Sequence, residues 1–392
     1  MTLIYQNAAA AAQPGTHVLA IGVGRYPHLL GGAGETADRP LGLRQLESPP
    51  VSLKAVLDWF LRPSVVAGAV GFRNPSAPLA SVEALVSNDN PFALEALPEI
   101  PAIDAATRNN IQEAFEAWLA RLKSHPDHIG VFYFCGHGFM VANHSLLAED
   151  FGHSNAQPWA HAFDMTNTIR ALEREVSGSV FFFIDSCRGI AREVALTLGA
   201  DPHALLVADL NKGVSRKSAT AIYATGEGEL AFAPKGGEVS RFTSALVCAL
   251  SGYCGVRKPG AAAWTVDGEG LAMAVRLLLE FEARARASHR QVSDQTVQGS
   301  PVPLLQLAAT PKVKVWLDLL PPERRALYEL YLKSFTGARF AQSLLNQVFE
   351  VDVPRGFYEV GAQDPQGTLP AVAHLQEDLF PPVYVLTLEA YR

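Results

Sequence analysis

Residues 129–139, IGVFYFCGHGF, and residues 179–189, SVFFFIDSCRG, share one layout. Each is a short, unbroken apolar run bounded by glycine that ends in polar residues, the pattern of a strand buried on both faces of a parallel sheet. The first run delivers His137 at its carboxyl end and the second delivers Cys187. In open α/β sheets ligands bind beyond the carboxyl ends of the strands. A thiol and an imidazole presented there make a candidate nucleophile and proton-transfer partner. Asp185, Ser186 and Arg188 surround the thiol, and Gly189 permits a tight turn. Positive charge from Arg188 and a protonated His137 is expected to favour the thiolate. Glycines on both sides of His137 weaken a strand and point to close approach by another molecule's backbone. Gly138 could also turn an unobstructed N–H toward a developing oxyanion.

Working outward, the alternation of elements predicts the rest of an α/β layer. Strands are expected at Thr16–Val23, Ala80–Ser87 and Ala219–Gly226. Helices are expected at Ser52–Leu61 (capped by Ser52), Asp104–Ser124, Thr166–Val176, Arg241–Gly252 and Gly268–Ala287. This is a predominantly parallel sheet sandwiched by helices. In GVGRYP, Pro27 stands where a third glycine of a dinucleotide loop belongs, so the segment reads as a strand-end turn. After about residue 307 the texture changes to strands at 313–320, 349–360 and 383–391, with only Glu323–Phe335 helix-like. The expected division is a catalytic domain over 1–308 and a small β-rich C-terminal module over 309–392. Alternation in the last strand suggests half-buried antiparallel pairing.

Composition bounds the function. The 392 residues are 48% hydrophobic and 18% charged, with a formal charge of −7, an ordinary globular balance. No basic run marks a nucleic-acid polymer or membrane surface as a partner. The N-terminus lacks the layout of a signal peptide, and no run approaches the ~18 apolar residues of a membrane span. Cys135, Cys187, Cys248 and Cys254 have no zinc-type spacing, so reduced thiols in a cytoplasmic setting are expected. His144, His153 and His161, with Glu149, Asp150 and Asp164, match no ligand pattern and read as a solvated loop. No metal or cofactor is expected. There is no GxSxG elbow for a serine hydrolase.

CGHG followed 50 residues later by DSCRG resembles the clan of caspases, metacaspases and bacterial caspase-like proteases, in which this spacing is a known mark. HVLAIGVGRYP, ATAIYATGEGELAF and RFTSALVCAL extend the resemblance over roughly residues 14–307. It implies a caspase-like fold, with Cys187 as nucleophile and His137 protonating the leaving amine of a protein or peptide substrate. The backbone N–H groups of Gly138 and Cys187 would form the oxyanion hole. Caspases carry Gln two residues before the nucleophile; this chain carries Asp185, as metacaspases do in a pocket for Arg or Lys, with Asp164 a second candidate for that pocket. The resemblance also implies activation by a ligand or partner, with the C-terminal module a natural place for the switch, self-cleavage near Lys212, Arg216 and Lys217, and a setting in bacterial cell death or antiviral defence. The rival expectations are a catalytically silent scaffold of the same fold, and a binding module served by its C-terminal region.

Overall fold

A computed structural model describes every residue except 1, 8–12, 66–67, 101, 141, 190–200, 208, 210, 214–215, 230, 232–235, 286–289, 343–346 and 391–392, and omits the side chains of 65, 158, 373 and 374. In chain order the elements begin β1 (Leu3–Gln6), β2 (Thr16–Val23), α1 (Ser48–Val65), β3 (Leu79–Ser87), α2 (Arg108–Leu122) and β4 (Ile129–Cys135). Next come β5 (Gly138–Met140), β6 (His144–Leu147), β7 (Ala162–Asp164), α3 (Met165–Glu175), β8 (Ser179–Asp185), β9 (Ser218–Tyr223) and α4 (Arg241–Cys248). The series ends with β10 (Trp264–Val266), α5 (Gly268–Ala285), β11 (Asp294–Gly299), β12 (Leu305–Leu307), and β13 (Lys312–Leu320) through β19 (Val383–Glu389).

Both aromatic runs are strands, every residue of them buried. They lie side by side in a seven-stranded sheet of order β1-β3-β2-β4-β8-β9-β11. The five inner strands are parallel, and β1 and β11 close the two edges antiparallel. One face buries Leu19, Ile21, Phe132, Phe134, Phe182 and Ile184 against the apolar sides of α2 and α3. Alternate residues turn to the other face, where Leu53 of α1 presses on Gly22 and Thr243 of α4 bonds the Tyr133 hydroxyl. Side chains alternate across a strand, so the two faces of one apolar run need two helical layers.

The helix starts follow local chemistry. Thr107 caps α2 through the Asn110 N–H, and Asp164 caps α3 through the Asn167 N–H. α1 begins earlier than its apolar spacing suggested, at Ser48-Pro49-Pro50, because proline fits a first turn whose N–H groups have no partner. Ser52 is therefore inside the helix, and its hydroxyl accepts from the Ser240 N–H instead of capping.

The chain groups into two compact units, 1–247 with 267–306, and 248–266 with 307–392. Residues 248–266, expected within the catalytic domain, thus group with the second unit, where the Tyr253 hydroxyl donates to Asp352 at 2.6 Å. The second unit holds a three-stranded sheet β16-β13-β19 and a four-stranded sheet β15-β14-β17-β18, with β14 at Glu329–Ser334, β15 at Arg339–Gln342, β16 at Phe349–Pro354, β17 at Gly356–Gln363 and β18 at Val372–Leu379. They share one core of Val313, Val315, Leu317, Leu332, Val360 and Leu379, among others.

Two local expectations fail here. The helix-like stretch 323–335 is a 3-10 turn followed by β14, which pairs on one side with β15 and on the other with β17. A strand between a hairpin partner, β15, and the more distant β17 has its backbone paired on both sides, and this outweighs helical spacing. β19 pairs with β13 in parallel, so its alternation reported half-burial and not direction.

Candidate active site

The register of β4 and β8 sets the exits of the two strands beside each other. Cys135 is paired with Asp185, the last residue of each strand, and His137 and Cys187 each follow two residues beyond that pair. Neighbouring strands lie about 4.8 Å apart. Beyond the strand ends the two segments stay in contact: Gly136 N–H donates to the Asp185 carbonyl and Met140 N–H to the Gly189 carbonyl, each at 3.2 Å.

The glycines around His137 have a different cause from the one their pattern suggested. A Cβ at Gly136 would stand 2.9 Å from the Tyr26 hydroxyl, and one at Gly138 would stand 2.8 Å from Ser186 Oγ and 3.0 Å from the Cys187 carbonyl. The approaching groups belong to this chain. Tyr26, fully buried, accepts the His137 backbone N–H at 2.8 Å and sets its ring 4.8 Å from the imidazole. Gln45 holds the backbone of Tyr26 at both its N–H (2.7 Å) and its carbonyl (2.9 Å). The neighbouring Arg44 carbonyl accepts from His137 Nε2 at 2.7 Å, which places the ring proton on that nitrogen in the resting state. Sequence reading passed over Tyr26 as part of a strand-end turn; its only signal was an aromatic residue where the chain leaves the sheet.

Cys187 is half-buried, and its Sγ accepts the Ala231 N–H at 3.2 Å. Burial pushes its thiol above the usual range; the Ala231 bond pulls the other way, and the charge of Asp185 adds to the rise. Burial also pushes His137 down to about 4, against the pull of the Arg44 carbonyl. Arg188 offers no free positive charge: it is ion-paired with Asp294 at 2.5 Å and Glu227 at 3.0 Å, over the face of Tyr223. Burial thus works against the thiolate–imidazolium pair expected from sequence and favours a neutral thiol and a neutral imidazole. A raised thiol pKa means less thiolate at any given pH. Alkylation of Cys187 by iodoacetamide should therefore climb about tenfold per pH unit from neutrality to about pH 9; a plateau reached by pH 6 would show the ion pair instead.

Asp185 lies inside the protein, 5% exposed. Its carboxylate accepts from the hydroxyls of Ser240 and Thr243, the second at 2.6 Å, and burial raises its pKa. Asp164 is 2% exposed and, besides capping α3, accepts from the side-chain amides of Asn143 and Asn167. An open cavity of about 780 Å³ lies instead at the carboxyl ends of β2 and β3, lined by Arg25, Gln45, Glu47, Lys54 and Asp89, among others. Arg25 is engaged by Glu149 and Lys54 by Asp58 and Glu95.

The histidine-bearing segment does not converge. His144 turns inward to Ser186, His153 Nδ1 meets His28 Nε2 at 3.2 Å, and His161 bonds Asp150 at 2.8 Å. Among the described residues no group of three or more His, Cys, Asp or Glu side chains is arranged to hold a metal ion. Cys135 is buried in the core, and none of the four cysteines is in a disulfide. Lys212 pairs with Glu175, Arg216 with Glu173 and Lys217 with Asp127; residues 190–200 of the same link lie outside the described residues. Among the described residues no helix is long and apolar enough to cross a membrane.

A family model of the caspase domain matches residues 73–299, more than half of the chain. The protein belongs to the caspase-domain family. The match spans both β4 and β8 of this caspase domain, and the central strand β2 precedes it. An uncharacterised protein of Sinorhizobium fredii, y4kE, is 36% identical over 304 residues, covering 74% of this chain and 86% of its own. The crystal structure of caspase-1 from Spodoptera frugiperda aligns with a TM-score of 0.42 and 12% identity, over 76% of this chain and 94% of that one.

Proposed function

We propose that this caspase-domain protein is a cysteine endopeptidase in which Cys187 attacks the scissile carbonyl and His137 carries the proton. The observation that supports this reading is the pairing of β4 with β8 up to Cys135 and Asp185, with His137 and Cys187 each two residues beyond that pair at the carboxyl edge of the sheet. From the neutral resting pair, the imidazole takes the thiol proton as sulfur attacks and delivers it to the leaving amine. The backbone N–H groups of Gly138 and Cys187 receive the oxyanion. The quiet resting thiol, covered by the Ala231 N–H, fits an enzyme that a ligand or partner must switch on. The setting in cell death or antiviral defence rests on resemblance alone, and denatured casein incubated with and without lysate of infected bacteria tests it. Activation dependent on the infected lysate is the expected outcome; equal rates in its presence and absence would remove the switch.

The proposed preference is for cleavage after Arg or Lys. Asp185 in this state is committed to Ser240 and Thr243, whereas Glu47 and Asp89 line the open cavity beside the loop that holds His137. A carboxylate there would pair with an incoming guanidinium. In a fluorogenic peptide panel, turnover after Arg or Lys should exceed that after Asp by at least about tenfold, and Glu47→Gln should shrink the ratio. Faster turnover after Asp would end the idea. A ratio that moves in Asp185→Asn but not in Glu47→Gln would return the role to Asp185.

A further inference from the structure

His144 stands on β6, seven residues after His137, and is 2% exposed. Its Nε2 lies 3.0 Å from Ser186 Oγ and 3.3 Å from the carbonyl oxygen of Cys187 itself. A carbonyl can only accept, so the contact with Cys187 favours the tautomer with the proton on Nε2. Nδ1 is then an unprotonated acceptor, and it is buried without a partner. The opposite tautomer would leave an N–H buried and unpaired while turning an Nε2 lone pair toward the carbonyl, a worse arrangement on both counts. The ring also packs against Tyr223 at 5.7 Å, whose face carries the guanidinium of Arg188 at 4.3 Å. Burial first, then the charge of Arg188, keeps the imidazole neutral. Three consecutive residues around the nucleophile are thus tied to one buried side chain or to the ring beside it.

The same small sheet carries the other half of the site. Gly138 lies on β5, paired with β6, and its Cα faces Ser186 Oγ and the Cys187 carbonyl. β6 therefore reaches the nucleophile turn twice, once through the backbone of β5 and once through the His144 ring.

We propose that His144 is a positioning residue: its Nε2–H clamps the Ser186–Cys187 turn to β6 and so sets the spacing between the Gly138 and Cys187 N–H groups that receive the oxyanion. The proposal rests on the endopeptidase reading for its catalytic consequence. A residue that only filled space here would have no use for a buried nitrogen without a partner.

Two polar substitutions separate the roles of the ring nitrogens. Gln reaches the position of Nε2 with an N–H, whereas Asn stops near Nδ1. In the full chain, His144→Asn should lower kcat by about 10²-fold with KM within about twofold, and His144→Gln should recover most of that loss. Alkylation of Cys187 by iodoacetamide, which needs no oxyanion hole, should stay within about threefold of wild type in both variants. Equal kcat in Asn, Gln and wild-type proteins would overturn the proposal, as would kcat and alkylation falling together. The imidazole nitrogen shifts of the unmodified protein give a reading that needs no turnover: an Nε2–H tautomer for His144 supports the clamp, and an Nδ1–H tautomer overturns it. Absence of hydrolysis by the wild type on every peptide would instead count against the endopeptidase reading, and the nitrogen shifts would still decide the clamp.

Discussion

Replacing Cys187 by alanine is expected to lower peptide hydrolysis by about 10⁴-fold or more, with His137→Ala close behind and the double variant scarcely worse than either. The two groups act as one unit, since a thiol without a base and a base without a thiol both leave the bond uncut. The fold should survive the first change. Cys187 is half-buried, and truncation leaves only the Ala231 N–H without its sulfur acceptor, a loss of about 1 kcal/mol. His137→Ala removes a ring that touches Tyr26 and donates to the Arg44 carbonyl, so it should cost somewhat more stability. Casein and peptide assays of the three variants beside wild type, with melting curves, check both halves. Hydrolysis surviving intact in Cys187→Ala would remove the dyad. A wild type inert under every activating condition would favour the silent scaffold.

Gly138→Ala should cause the next largest loss without touching either reactive group. The new methyl would meet Ser186 Oγ at 2.8 Å and both Ser186 Cβ and the Cys187 carbonyl at 3.0 Å, all of them on the turn that holds the nucleophile. Backbone on both sides must give way, and overpacking of this kind costs about 1–3 kcal/mol. The catalytic cost should be larger than the stability cost, because the displaced backbone carries both proposed oxyanion donors. We expect kcat to fall by about 10²-fold to 10³-fold, the loss that follows removal of such donors elsewhere. Alkylation of Cys187 should change far less. The variant is also a test of why the glycine is there: unchanged turnover would mean that Gly138 is open to substrate from outside and not pressed by its own chain.

Much of the site was legible because it is written in short segments. Five or six consecutive apolar residues ending in glycine and a reactive side chain can hardly be anything but an inner strand and its exit, and 50 residues is room for one crossover helix. Tyr26, His144, Ser240 and Thr243 carried no such mark. Each acts through a contact made across the sheet or between layers: Tyr26 on His137, His144 on Ser186, and Ser240 and Thr243 on Asp185. The partner in each case lies 42 to 111 residues away in the chain. The misread segment 323–335 failed because pairing, and not side-chain spacing, makes it a strand: β14 lies between β15 and β17.

The sequence by itself determined that this chain builds an inner parallel sheet and that His137 and Cys187 each leave it at a strand end, because apolar runs and glycine punctuation are local properties; that the two strands are neighbours was decided by the tertiary structure. Tertiary structure decided the electrical state of the pair. The number of charges near a thiol can be counted in a sequence, but their effect depends on what each is bonded to and on how much water remains. Here Arg188 is spent on Asp294 and Glu227, Asp185 is turned to the hydroxyls behind it, and burial favours the uncharged forms of both His137 and Cys187.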